Sequence, residues 1–392
     1  MFTSIGHQFL WHQLGYLDLS FNLMDDDMSS FFCNETSLSV INLSHNRFTG
    51  IFPQCVANSF LLEDLDLQMN KFHGALPDTF WNLVTLNLNG NQFEGQLPRS
   101  LYNCKYLEDL NLGNNQFEDT FPNWLQNLSY LEILVLRGNQ LHGPIVKLES
   151  KNIFPSLIIF DISCNNFSGS LPKAYIKSFQ AMKIVDDEVQ NNSVYYIQTD
   201  TGSTFYTILP EYDNSMTTTI KGVSTTFVKI PKVFVNIDLS ENKFEGEIPN
   251  VIGELQGLKG LNLSHNRLVG HIPSSLGNLT NLESLDLSSN MLTGKIPAEL
   301  TNLNFLEVLN LSQNQLVGSI PRGKKFETFS NDSYKGNMRL CGFPLSSQCN
   351  NVLQQQYPSS EVEEKFGFGW KPVAIGYGCG MVLGICLGWC VF

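Results

Sequence analysis

The sequence predicts an α/β-type repeat solenoid, a superhelix with short parallel strands on its concave face, and three observations predict it. The unit LxxLxLxxN recurs eleven times in 392 residues, with its Asn at Asn22, Asn46, Asn70, Asn91, Asn115, Asn139, Asn165, Asn242, Asn266, Asn290 and Asn314. The intervals are 24, 24, 21, 24, 24, 26, 77, 24, 24 and 24 residues, the self-similarity of a repeat architecture. A second motif, Gly-x-Ile-Pro or a variant, follows most of these Asn residues, as at Gly74 to Pro77, Gly246 to Pro249, Gly270 to Pro273, Gly294 to Pro297 and Gly318 to Pro321.

Each part of the unit has a physical reading. In Leu258 to Leu263, Leu261 and Leu263 alternate with Asn262, the period of a short strand with Leu inward and Asn outward. One coil cannot bury its Leu face alone, so neighbours stack. Parallel strands about 4.8 Å apart give eleven coils a length of roughly 50 Å. The repeated Asn reads as a buried amide that bonds to backbone where the chain turns, since buried backbone groups need partners.

The 77-residue interval carries 53 residues beyond one period. The extra residues fall between about Tyr175 and Lys232, lose the Leu pattern, and gain Tyr195, Tyr196, Phe205, Tyr206, Tyr212 and a Thr run from Thr217 to Thr219. Long insertions in a repeat array sit on one face and often carry function. The aromatics argue for an ordered island.

Composition narrows the function. Only 16% of residues are charged and 42% are hydrophobic, so a large core is available. The net charge of −13, with no Lys/Arg cluster, argues against nucleic-acid binding. Asp18, Asp66, Asp238 and Asp286 recur at one outward strand position and resemble a carboxylate row, but periodicity alone supplies them. The seven His have no zinc spacing, and no nucleophilic constellation is present. The expectation is no enzyme, no catalytic residues, no metal and no cofactor. Cys33 and Cys55 lie 22 residues apart, close to one period, a placement that suits a disulfide between adjacent coils. Cys104 and Cys164 have no obvious mate and read as buried small hydrophobes.

With its LxxLxLxxN and Gly-x-Ile-Pro units, and an island four repeats before the end, the chain resembles the plant leucine-rich-repeat receptor-like proteins. The stretch from Ile237-Asp238-Leu239-Ser240-Glu241-Asn242 to Ile248-Pro249 is similar to that family's junction between island and last repeats. The resemblance implies a second short strand in each coil, one membrane span, no kinase, and signalling through partner receptor kinases. It divides the chain into repeats (1–174), island (175–232), four repeats (233–320), C-terminal cap (321–350), acidic juxtamembrane linker (351–371) and transmembrane helix (372–392). The stretch Asn337 to Cys349 looks like the family's cap, which implies a bridge between Cys341 and Cys349. Implied partners are a peptide, glycan or protein ligand, an adaptor receptor kinase, a co-receptor kinase and the membrane. The implied location is the plasma membrane, with extracellular repeats.

From Pro372 to Phe392 no residue is charged, and 21 residues span about 30 Å as a helix. Gly376, Gly380, Gly384 and Gly388 form overlapping GxxxG units on one face, which permits close approach of a second helix. The start, Met1 to Gln8, has no secretory leader pattern, and no basic flank follows Phe392. Both ends therefore read as truncated. Sequons start at Asn34, Asn42, Asn127, Asn166, Asn191, Asn262, Asn278, Asn310 and Asn331. A glycan on Asn42, Asn262 or Asn310 would crowd the concave face.

The ligand slot is expected at Tyr195, Tyr196, Tyr206, Tyr212 and Lys221, with Asp238 and Lys259 on flanking coils, because aromatics supply low-entropy contact area. Two other readings stand beside the receptor subunit. One is a soluble wall-associated inhibitor of the polygalacturonase-inhibitor type, against which the island and apolar tail both argue. The other is a non-signalling truncated paralogue.

Overall fold

A computed structural model of the chain describes residues 14–27, 33, 37–146, 153–185, 216–220, 223–227, 234–323 and 325–349. Eleven three-residue strands, from Tyr16–Asp18 to Val308–Asn310, form one parallel sheet in unbroken chain order. The middle residue of each strand faces the core. Leu65 pairs with Leu86, Leu86 with Leu110 and Leu110 with Leu134, and all four are at most 1% exposed. A slip of one residue would turn this whole column to solvent, which fixes the register.

The repeat Asn holds successive coils together. Asn70 is typical. Its Oδ1 accepts the N–H of Phe48 at 3.0 Å, and its Nδ2 donates to Leu43 of the coil before at 2.9 Å and to Leu67 of its own coil at 3.1 Å. The same bonds recur at Asn115, Asn242, Asn290 and Asn314. The Phe that follows two residues after many of these Asn forms a second spine. The rings of Phe48, Phe72, Phe93 and Phe117 stack in sequence with centroids 6.2, 6.0 and 6.4 Å apart.

The Gly-x-Ile-Pro motif makes the turn to the far side of the coil. Its Gly sits at φ of +79° in Gly74, +80° in Gly246 and +77° in Gly294, a region that costs other residues about 1–2 kcal/mol. Short second strands run through it, such as Lys71–Ala75 and Lys243–Glu247, and pair in parallel with their neighbours. The Pro then opens a helical turn: Pro249 precedes Asn250–Glu254, Pro273 precedes Ser274–Asn278 and Pro297 precedes Ala298–Asn302. Its fixed φ suits that position, where an N–H has no helical partner.

The long insertion does not interrupt the stack. The strand Ile159–Asp161 pairs directly with Asn236–Asp238, and Asn242 Nδ2 donates to Ile162 at 3.0 Å. Tyr175, expected at the start of the island, belongs to the core instead. It lies with Ile176, Phe179 and Met182 at no more than 1% exposure, and its ring meets Phe121 edge-on at 5.4 Å. The helix Lys173–Ser178 is the helical turn of the seventh coil, begun by Pro172. Beyond Val185 the described part of the insertion is an antiparallel pair, Met216–Ile220 with Val223–Phe227. Tyr195, Tyr196, Tyr206, Tyr212 and Lys221 lie outside the described residues, as do Asn34, Asn191 and residues 372–392 with Gly376, Gly380, Gly384 and Gly388. Among the described residues no helix is long and apolar enough to cross a membrane.

The last coil is closed by residues with no Leu pattern. Ser333 and Lys335 accept the N–H groups of Leu311 and Gln313 at 2.7 Å each, as a further strand would. Asn337 extends the Asn ladder by one rung, accepting from Leu316 at 3.0 Å and donating to Leu311 at 2.9 Å. Tyr334 is fully buried where the repeat would place Leu. Covering the end in this way removes an exposed sheet edge. A disulfide joins Cys341 to Cys349, and another joins Cys33 to Cys55 across Cα atoms 5.3 Å apart.

Candidate recognition surface

The outer face of the eleven-stranded sheet gathers one polar row from widely separated parts of the sequence. At the third strand position, from Asp18 to Asn310, every coil but one carries Asp or Asn; Val135 is the exception. The reason is local. Each of these ten side chains accepts the backbone N–H two residues on, at 2.8 to 3.3 Å. Asp18 takes it from Ser20, Asp66 from Gln68, Asp238 from Ser240 and Asp286 from Ser288. A short acceptor close to its own backbone satisfies a donor at the strand end. The carboxylate row seen in the sequence is therefore a structural acceptor row.

The row also bonds across coils. Asn262 donates from Nδ2 to Asp238 Oδ2 at 3.1 Å, and Asn310 does the same to Asp286 at 3.1 Å. Ser240 Oγ donates to Asp238 Oδ1 at 2.6 Å. Asp238, expected to flank a ligand slot as an accessible carboxylate, is 2% exposed with both oxygens occupied. Burial, reinforced by the charge of Asp161, pushes its carboxyl up to about 7. Lys259, expected beside it, is about a third exposed, and its ammonium donates to Glu283 at 2.9 Å. The two expected residues thus sit on adjacent coils, but only Lys259 keeps a surface-accessible head group.

The electrostatics differ along the sheet. In the third to sixth coils, Asp64 and Asp109 occupy the first strand position and are 3% and 6% exposed. Asp64 accepts from Thr85 Oγ1 at 2.7 Å, and burial pushes its carboxyl up to about 6. Burial raises Asp109 to about 8, with Asp66, Glu108, Glu132 and Asp64 adding repulsion. Glu63, Glu108 and Glu132, one residue before their strands, are half-buried. Arg137 approaches Asp161 at 3.8 Å at the far side of this group. Reading single coils could not find the cluster, because its members lie up to 69 residues apart and meet only once coils stack in register.

No group of His, Cys, Asp and Glu among the described residues is arranged to hold a metal ion. The free thiols of Cys104 and Cys164 are both pushed up to about 11, mainly by burial, so neither is a ready nucleophile.

Known proteins match this architecture. Leucine-rich-repeat family models match residues 81–141 and 256–316, and again 37–59 and 61–83. Receptor-like protein 9DC3 of Solanum pimpinellifolium is 53% identical over 342 residues, covering 85% of this chain and 39% of its own length. Receptor-like protein 54 of Arabidopsis thaliana is 45% identical over 363 residues, covering 91% of this chain and 46% of its own. The chain thus spans less than half the length of these relatives. Among solved structures, PEPR1 in complex with AtPEP1 is similar with a TM-score of 0.61 at 26% identity, over 84% of this chain and 38% of that one. The Arabidopsis receptor kinase HAESA, in complex with the peptide hormone IDA and the co-receptor SERK1, is similar with a TM-score of 0.51 at 26% identity, over 83% and 54%. A plant ice-binding protein at 23% identity and a TM-score of 0.55 shares the fold alone. On the repeats, the stacked coils and these relatives together, the chain belongs to the leucine-rich-repeat receptor-like proteins.

Proposed function

We propose that this chain is the ligand-recognition part of a cell-surface receptor subunit without a kinase of its own, acting in defence or development through partner receptor kinases. One observation carries the reading: the eleven-stranded sheet runs unbroken across the point where the long insertion leaves and returns. A rigid sheet bearing variable outward side chains beside a long loop is a common way to build a binding surface. The similar chains support it, since two of them are described in complex with AtPEP1 and with IDA and SERK1. A peptide, glycan or small protein is the ligand class that this face and the aromatic insertion suit, and the coils after the insertion are the place for a co-receptor. The uncharged stretch 372–392, with its GxxxG units, would anchor the chain at the plasma membrane and meet an adaptor kinase there.

The test is expression of the tagged full chain in leaf cells, followed by membrane fractionation, glycosidase digestion and co-precipitation. Recovery in the detergent-extracted plasma-membrane fraction, with a mass drop on digestion and a receptor kinase in the precipitate, is the expected result. Extraction without detergent would favour a soluble wall-associated inhibitor. An unglycosylated, insoluble product would make the chain a non-signalling paralogue.

A further inference from the structure

The strand face of the third to sixth coils holds a charge arrangement that the solenoid itself does not need. Structural carboxylates of this sheet have partners: Asp66, Asp161, Asp238 and Asp286 each accept the N–H two residues on, and the one buried oxygen of Asp161 left without a hydrogen bond, Oδ2, has the Arg137 guanidinium 3.8 Å away. Asp109 stands one position earlier in its strand, where no such donor is offered. Its Oδ1 is buried with no hydrogen-bond partner, and the residue is 94% buried. An unmatched buried carboxylate oxygen is costly, because its lost hydration is not repaid by a hydrogen bond.

Its surroundings add to that cost. Asp109 pairs in register with Thr85 on one side and Ile133 on the other, and Thr85 in turn with Asp64. Asp66, Glu108, Glu132 and Asp64 all act on Asp109 with like charge. Glu63, Glu108 and Glu132 form a half-buried rim, with Glu132 Oε2 itself closed to solvent; Asp64 and Asp109 form the floor. Rim and floor of one sign, with low-dielectric walls of Leu and Ile below, focus a negative potential outward.

We propose that this acidic funnel, centred on Asp109, binds a basic side chain of the ligand, a guanidinium or an ammonium group. The inference rests on the receptor reading above and names the chemistry of the ligand end that meets these coils. A metal ion is the poorer occupant, because the described carboxylates do not converge in a metal-holding group. A planar guanidinium matches the site better than an ammonium, since its fork of donors can span rim carboxylates on adjacent coils, such as Glu108 and Glu132. Asp109 holds a proton near neutral pH, under the influence of burial and of Asp66, Glu108, Glu132 and Asp64, while the Arg137 guanidinium of the sixth coil is turned to Asp161 at 3.8 Å. Entry of a cation displaces that proton, so binding strengthens from pH 6 to pH 8.

The test uses the purified full chain in detergent, with tetra-arginine, tetra-lysine and calcium as probes, by calorimetry at pH 6 and pH 8. The expected result is saturable tetra-arginine binding that is tighter at pH 8, weaker for tetra-lysine and absent for calcium. Asp109→Asn should weaken it by about tenfold or more, and so should Glu108→Gln combined with Glu132→Gln. The control pair Glu283→Gln with Glu307→Gln removes the same charge elsewhere on the face and should leave affinity within about twofold. Asp109→Asn also relieves repulsion, so the variant should fold at least as well as the parent. Equal loss from the control pair, or no loss from Asp109→Asn, would overturn the proposal. Because the probes act on the purified chain, failure here leaves the receptor reading standing. Arginine binding by a chain that recruits no kinase would sink that reading alone.

Discussion

Asn242 accepts the backbone N–H of Phe167 at 3.0 Å across 75 residues of sequence. The bond has the same geometry as those between coils one period apart, such as Phe244 to Asn266 at 3.0 Å. The stack is therefore continuous where the sequence is not, and the insertion is an excursion from a finished coil.

Asn242→Ala tests how much that joint contributes. The substitution strips a buried donor at Phe167 and buried acceptors at Ile162 and Ser240 of their partner. A loss of about 3 kcal/mol is expected, from more than one orphaned backbone group. Hydrogen exchange is the measurement. The amide of Phe167 should exchange far faster in the variant, while that of Leu316, bound to Asn337, should not.

A column of left-handed residues gives a second test with opposite signs. The residue before many repeat Asn has a positive φ although it is not Gly: Glu241 at 52°, His265 at 54°, Ser289 at 53° and Gln313 at 54°. Ser289→Gly should raise stability by about 0.5–1 kcal/mol by removing that strain. Gly246→Ala, at φ of +80°, should lower it by about 1–2 kcal/mol. Thermal unfolding of both variants checks the pair, and a stabilised Gly246→Ala would contradict the backbone argument.

Stability should fall as pH rises. Asp64, Asp109 and Asp238 bind protons in the folded state up to about 6, 8 and 7, against an ordinary value of 3.8. Between those values the folded chain holds more protons than the unfolded one, so its advantage is full below about pH 4 and drains away toward pH 8. The melting temperature should be higher at pH 5 than at pH 8. Combining Asp109→Asn with Asp238→Asn should flatten the difference.

The sequons should divide by face. Asn127, Asn166, Asn278 and Asn331 are exposed, whereas the Nδ2 of Asn262 and Asn310 is spent on Asp238 and Asp286. After secretion behind an added leader, glycopeptide mass spectrometry should find sugar on the first four and little on the other two. High occupancy at Asn262 would mean that the Asp–Asn ladder is dispensable.

Much of this was legible in the period of the sequence. The Leu column and the Asn ladder follow from repetition, because identical coils must meet identical neighbours. What repetition hid was the difference between facing outward and being accessible. Asp238 alternates away from the core yet is closed off by Ser240 and Asn262, a consequence of a side chain short enough to bond its own backbone. Tyr175 shows the reverse: it stands at the edge of the irregular stretch, yet Pro172 three places earlier marks the helical turn of an ordinary coil. Asn337 reads in the sequence as the start of the cap and not as a rung of the Asn ladder, because Tyr334 replaces Leu ahead of it, although it lies 23 residues after Asn314. The acidic funnel needs the register of several coils at once, which no single repeat displays.

The joint between coils has one further consequence. Every coil offers its neighbour the same amide-to-backbone grip, so the grip carries no record of which two coils it fastens. Whole units can then be duplicated, excised or exchanged between paralogues without redesigning the interface. The Leu and Asn positions set the binding of the pages, while the outward residues are text that can be rewritten coil by coil. The Asp109 funnel and the Lys259–Glu283 pair would be separate words in that text. Transplanting the third to sixth coils into a related solenoid in whole-unit steps should carry the funnel's charge preference with them.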